Sequence, residues 1–282
     1  MAIDGSFNAE AVSRYAFPIS LTTKGTLYLV AVITPDMGKE EIQDVHHSMA
    51  RLQAAASSQG ITAVEIIRQG YALEQLRQVV GELAIDLVLA GARKVHPRRV
   101  FFVDSLSERL ARTLPCAVAV VRIVNFTRET VLRRILLPIV AFSRTSEEKV
   151  LLVSLLAKCF HAPVLVYHFE EIHRKGKVSI NYEAREALLR KGLSATAPFA
   201  ERLREMALQV EQKADVGFEA VVHILSVATR HRCDLVVLDG SHRSLLEKAV
   251  TRNPIERFMR ETPVDLIVFY RSKRNPPWKS SV

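Results

Sequence analysis

The residues that could do chemistry sit where short apolar runs end. Ile3 leads into Asp4-Gly5-Ser6, an acceptor, a small residue and a hydroxyl in a row. The run 26–33 (TLYLVAVI) ends at Thr34, and 87–90 opens into a loop, 91–105, that starts at Gly91, ends at Ser105 and carries Arg93, Lys94, Arg98 and Arg99. A glycine-containing loop entering a helix offers backbone N–H groups and a favourable dipole to an anion. Arginine and lysine in such a loop neutralise phosphate charge directly. The same loop without a ligand is an ordinary solvated surface, and both readings stand at this level. Later in the chain the corresponding places are 141–143, His168 and 239–253.

Catalysis finds little support. No Walker-type phosphate loop and no nucleophile elbow occurs. Ser241 and His242 are neighbours in sequence, which does not make a triad, and His242 reads as a loop histidine. His46 and His47 fall on an expected helix, where adjacent side chains point about 100° apart and do not converge on a metal. Cys116, Cys159 and Cys233 lack metal spacing and sit in apolar contexts, so they read as buried reduced thiols. No metal site and no catalytic residue is expected.

The net charge of +9 permits an acidic partner. The basic residues are scattered, and no helix-turn-helix, zinc-finger or aromatic RNA-binding signature accompanies them. Specific nucleic-acid binding is therefore not expected. No apolar run reaches the roughly 18 residues of a membrane span. The N-terminus has no basic residue ahead of an apolar block. A cytoplasmic protein with no membrane span is expected.

The elements that must position these residues repeat. Asp86 and Asp234, Glu108 and Glu256, Arg109 and Arg257, Pro115 and Pro263 are each 148 positions apart, with no gap. That period far exceeds solenoid repeats, which run to roughly 50 residues, so it marks a duplicated domain. In the first copy, strands are expected at 26–33, 61–67, 87–90 and 117–123. Helices are expected at 39–58 (Ile42, Val45, Met49, Leu52 and Ala56 on one face), 73–83 and 105–113. A helix over 9–21 should be interrupted or kinked at Pro18. In the second copy, strands fall at 135–140, 164–169, 208–212, 235–238 and 266–270. Helices fall at 146–160, 183–191, 197–207, 220–230 and 255–260, with Gly192 and Pro198 separating the second from the third. This alternation predicts an α/β fold of two tandem doubly wound parallel sheets. The expected organisation is a first domain at 1–124, a linker at 125–133, a second domain at 134–271 and a loosely ordered polar tail at 272–282. In open parallel sheets, ligands bind beyond the carboxyl ends of the strands.

Ile3-Asp4-Gly5-Ser6 and the loop from Gly91 resemble the universal stress protein family, and the resemblance extends over nearly the whole chain as two tandem copies. In that family the first strand ends in an aspartate, usually within V-D-G-S, that meets the adenine end of bound ATP. The fourth strand is followed by G-x2-G-x9-G-[ST], which cradles the phosphates. The resemblance implies an adenine nucleotide alpha-hydrolase-like fold, five strands per sheet in the order 3-2-1-4-5. It implies a nucleotide site at Asp4, Gly5, Ser6, Val32, Gly91, Lys94 and Ser105, with Asp4 accepting from the adenine amine and Val32 lining the adenine slot. Gly91 holds the first glycine place and Ser105 keeps the hydroxyl. Lys94 and Asp104 stand where the other two glycines would be, which removes freedom to adopt positive φ and adds side chains near the phosphates. Only Met1-Ala2-Ile3 precede Asp4, so either the central strand is short or the chain starts upstream. In the second copy Val140-Ala141 replace the acid, and Asp239, His242, Arg252 and Asn253 occupy the four loop places. A one-residue shift brings Gly240 to the first place but leaves Arg243, Asn253 and Pro254 in the others. A degenerate scaffold is expected there.

The function so implied is a non-catalytic stress-response protein, with weak binding of an adenine nucleotide (ATP, ADP or AMP) in the first domain. The resemblance further implies pairing of the domains through their last strands, 117–123 and 266–270, with a homodimer as a further option. The alternative is a ligand-free interaction module for an unknown protein partner, such as a transporter or another stress protein. Slow ATP hydrolysis is a third reading, and it needs a water-positioning group that no residue in the sequence identifies.

Overall fold

The structure is a computed structural model that describes residues 1–92, 106–126, 132–140, 147–172, 181–240 and 254–273. It divides into two units, one of Met1–Thr130 with Val268–Val282 and one of Val131–Ile267. Each is an α/β arrangement with parallel strands.

In the first unit the order is β1 (Ala2–Ile3), α1 (Phe7–Ala11), α2 (Ser13–Thr23), β2 (Leu27–Ile33), α3 (Lys39–Ser58), β3 (Ala63–Gln69), α4 (Ala72–Glu82), β4 (Leu87–Gly91), α5 (Leu106–Thr113) and β5 (Ala117–Arg122). β2 is bonded to β1 on one side and β3 on the other, and β4 is bonded to β5. β1 lies beside β4, but no ladder joins them among the described residues. The unbroken five-stranded sheet expected from sequence is therefore replaced here by two bonded pieces. The two residues of β1 pair with Val30 and Ala31 of β2.

The buried face of α3 carries Val45, Ser48, Met49, Leu52 and Ala56, the helical spacing that lays an apolar stripe against a sheet. The interruption expected as one option at Pro18 does not occur. α2 runs through Pro18, with Tyr15, Ala16, Phe17 and Ser20 buried, and ends at Lys24 in the left-handed region. The chain breaks earlier, at Val12, between α1 and α2.

The second unit contains β6 (Ile135–Ile139), α6 (Glu147–Phe160), β7 (Val164–Glu171), α7 (Tyr182–Glu205), β8 (Val210–Gly217), α8 (Ala220–Arg230), β9 (Leu235–Asp239), α9 (Pro254–Glu261) and the start of β10 (Asp265–Tyr270). The strands neighbour one another in the order β8, β7, β6, β9, β10. Beyond β10, Ser272 Oγ and Lys273 N donate to Pro115 O at 2.8 and 3.1 Å. The first two residues of the expected loose tail are thus held in the first unit. Cys116 and Cys233 are buried, while Cys159 is only half-buried.

The two helices expected around Gly192 and Pro198 are one, α7. Asn181 caps it by accepting from Ala184 N at 2.8 Å. A Cβ on Gly192 would stand 2.7 Å from His168 Cδ2 and 3.0 Å from Ala214 Cβ. The glycine is therefore a close-approach residue, where α7 presses on β7 and β8. Ala200 and Leu203, buried beyond Pro198, hold the C-terminal half of the helix in place. Packing overrides two local helix breakers. Gly192→Ala is expected to destabilise the protein by about 1–3 kcal/mol despite the better helix propensity of alanine. Urea unfolding measures it, and an unchanged or raised midpoint would contradict the close-approach role.

Candidate functional site

Asp4 follows β1 and is half-buried. Its Oδ1 accepts from Ser6 Oγ at 2.6 Å and from Ser6 N at 3.1 Å. Ser6 Oγ in turn accepts from Ala9 N at 3.2 Å and so caps α1. Gly5 between them has φ +78, and a Cβ there would meet Val45 N at 2.9 Å and the Asp44 carbonyl carbon at 3.1 Å. Glycine is required twice over, by its dihedral and by the backbone of α3 beside it. The D-G-S triplet is thus a rigid turn that fixes the direction of the Asp4 carboxylate.

Gly91 is the last residue of β4. A Cβ there would stand 3.1 Å from Asn8 O and 3.4 Å from Ala9 Cα. The Asp4–Ser6 turn and the end of β4 are therefore brought together through the start of α1. Gly91 lies outside the left-handed region, so what glycine supplies at this position is close approach and not unusual φ. Val32, at the end of β2, is 7% exposed and lies in register with Arg68 of β3. Thr34 is half-buried just beyond it. Lys94 and Ser105, with Arg93, Arg98, Arg99 and Asp104, lie outside the described residues. Of the seven expected site residues, the described structure thus places five, and it links Asp4, Gly5, Ser6 and Gly91 through one turn.

The same places in the second unit are filled differently. Asp239 ends β9 at the position that corresponds to Gly91, 148 residues on. Its carboxylate is 3.2 Å from Lys149 Nζ, and the two side chains are 9% and 0% exposed. Lys149 Nζ also makes a long 3.5 Å contact to Pro138 O of β6. Burial pushes the Lys149 ammonium below its usual range, and the Asp239 carboxylate opposes that shift. Lys149 is also in the first turn of α6, where the helix dipole disfavours a cation. The pair spans the carboxyl ends of β6 and β9. Sequence reasoning missed Lys149. Its one signal is a lysine opening the apolar run Val150–Val153 on a helix that is buried almost all round.

His168 is near-buried, with Nε2 3.1 Å from Glu170 Oε2, and Lys191 is 3.5 Å from Oε1 of the same carboxylate. That hydrogen bond and the lysine hold Glu170 below its usual range. Because Gly192 packs on the ring, His168 has a structural setting. His46 and His47 are exposed on α3. Residues 241–253, including His242, Arg252 and Asn253, and residues 141–146 lie outside the described residues. Among the described residues no group of histidine, cysteine, aspartate and glutamate could hold a metal ion, and no helix is long and apolar enough to cross a membrane.

Residues 1–122 match the model of the universal stress protein family. The chain is 26% identical over 135 residues to a protein of Staphylococcus haemolyticus (strain JCSC1435) that carries that family's name, a stretch covering 43% of this chain and 82% of the relative. Among solved structures it resembles a universal stress protein from Archaeoglobus fulgidus DSM 4304, with a TM-score of 0.63 at 14% identity over 96% of this chain and 95% of that one. It also resembles a protein of Pseudomonas aeruginosa UCBPP-PA14 bearing the same family name, with a TM-score of 0.60 at 16% identity over 97% and 91% of the two chains. At such identities the likeness establishes the fold.

Removing one member of a buried ion pair leaves the other charge stranded, at about 3–5 kcal/mol. Lys149→Met is expected to destabilise the protein by that order. Lys149→Met with Asp239→Leu should recover most of the loss. Urea unfolding of the two variants checks it, and a double variant no more stable than the single one would show that the pair's charges are not what holds these strand ends.

Proposed function

We propose, from the premise that residues 1–122 belong to the universal stress protein family, that the first unit binds an adenine nucleotide without catalysing a reaction, and that the second unit is its scaffold. The observation that carries this reading is the Asp4-Gly5-Ser6 turn set against Gly91. An oriented carboxylate stands at the end of the central strand, beside the strand whose following loop bears Lys94 and Ser105. Asp4 accepts from the adenine amine, Val32 gives an apolar wall, and Lys94 and Ser105 meet the phosphates. ATP, ADP and AMP share the adenine end, so the fixed part of the site does not choose among them. The scaffold role of the second unit is supported by Lys149 and Asp239, which fill with their own charges the place that Gly91 leaves small in the first. A cytoplasmic location fits this reading.

One observation favours the ligand-free alternative, an interaction module. Asp4 Oδ1 already accepts two hydrogen bonds from Ser6, so the turn has a purely structural use.

Calorimetric titration of the whole chain with ATP separates the two. Saturable heat is expected, with affinity weakened by about tenfold or more in Asp4→Ala, since hydrogen bonds to charged groups contribute roughly 1.5–3 kcal/mol. Ser6→Ala removes the α1 cap and one of the two hydrogen bonds that orient the Asp4 carboxylate, and should weaken binding less than Asp4→Ala. No heat at millimolar ATP with the fold intact would remove the nucleotide reading.

A further inference from the structure

The helix pairs α4/α5 and α8/α9 have identical bounds once 148 is added, so their facing side chains correspond one to one. In the second unit the α8/α9 pair is closed by charge. Arg257 Nε is 3.0 Å from Glu261 Oε2, one turn along α9, and Arg257 NH2 is 3.2 Å from Glu219 Oε2. Leu225 of α8 is 8% exposed.

The first unit keeps the arginine, as Arg109, and loses everything that neutralises it. Glu261 is replaced by Thr113, Glu219 by Tyr71, and Leu225 by a second cation, Arg77. What results is a groove of about 460 Å³ between α4 and α5, lined by Tyr71, Leu73, Glu74, Arg77, Arg109 and Thr113. Among the described residues neither arginine side chain makes a hydrogen bond or ion pair. Tyr71 is 72% exposed at the mouth. Glu74 leaves the groove net positive, with two arginines to one carboxylate.

The duplicate shows which chemistry fits. Two carboxylates satisfy the arginine in the second unit, approaching it from two elements. A small molecule would be enclosed over most of its surface, whereas this groove is open along one side and has an exposed aromatic ring at its edge. A length of chain fits it better. We propose that the α4/α5 groove of the first unit docks an acidic segment of a partner protein. Carboxylates of the segment take the places that Glu219 and Glu261 fill at Arg257, and an apolar side chain lies on Tyr71 and Leu73. Charge complementarity and an aromatic anchor are the usual means of such docking. None of the nucleotide-site residues takes part, so the inference stands apart from that function.

The test uses the whole chain and a fluorescein-labelled peptide of alternating glutamates and leucines, followed by fluorescence anisotropy. Saturable binding is expected, with no binding of the matching lysine-and-leucine peptide. Arg77→Glu with Arg109→Glu should weaken it at least about tenfold. Thr113→Glu should weaken it similarly by supplying the i+4 carboxylate within α5, as Glu261 does in α9. Arg185→Glu, an exposed change in the second unit, should leave it unchanged and so controls for the overall positive charge. Asp4→Ala should also leave it unchanged, which separates this proposal from the nucleotide site. Binding that is absent, that falls equally with Arg185→Glu, or that ignores Thr113→Glu and the arginine reversals overturns the proposal. Displacement of the peptide from the unaltered chain and from Asp4→Ala alike by inorganic phosphate or ATP assigns the groove to a phosphate ligand and overturns it as well.

Discussion

A lysine side chain with no exposed surface keeps its charge only against a counter-charge, and Lys149 has Asp239 3.2 Å away. The ammonium enters from the first turn of a helix, the end least suited to it, and the carboxylate comes from the last residue of a strand. Two full charges out of water are each penalised by several kcal/mol, and good geometry returns about as much. Such a pair adds little net stability. The pair joins the carboxyl end of β9 to the first turn of α6 and lies beside Pro138 O of β6. The space filled in this way lies at the carboxyl ends of β6 and β9, where a doubly wound sheet holds a ligand when it holds one.

The duplicated frame makes the comparison sharp. α4, β4, α5 and β5 recur as α8, β9, α9 and β10 with the same bounds 148 residues later. Even the left-handed residue that ends the first helix of each set recurs, Ala84 at φ 49 and Arg232 at φ 51. With backbone held constant, side-chain differences carry the divergence. Gly91 against Asp239 separates a position pressed by the backbone of α1 from one filled by an ion pair. Tyr71 and Thr113 against Glu219 and Glu261 separate an unneutralised arginine from a neutralised one.

Much of this was legible in the chain. The apolar runs gave most strands to within a few residues, because buried parallel strands have little other signature. The stripe on α3 gave its buried face. The misreadings share a cause. Gly192 and Pro198 are breakers by local propensity, and only contact with His168 and Ala214 shows why α7 continues. Of the interruption or kink expected at Pro18, the interruption does not occur, since the buried face on either side of it holds α2 together. That β1 bonds to β2 and not to β4 among the described residues was not readable from pattern. At the site, the D-G-S triplet was visible as a motif, but its rigidity comes from Asp44 and Val45, forty residues on. Lys149 was invisible for a stronger reason. A charge in an apolar helix reads as a surface residue until the partner that neutralises it is located, and Asp239 is 90 residues further along the chain.

The two units also show how a fold can keep its element order while the charges at corresponding positions change. A glycine at the end of β4 imposes no chemistry of its own. An aspartate at the end of β9 must be answered from within, and once Lys149 answers it the position has no charge left to offer. On α5 the reasoning runs the other way. Loss of Glu219 and Glu261 equivalents leaves Arg109 without an internal answer, while solvent keeps its cost low at an exposed site. An exposed arginine can wait for a partner at little cost, whereas a buried lysine cannot. That difference in solvation explains why the strand-end position of the second unit closes on itself while the helix surface of the first stays open.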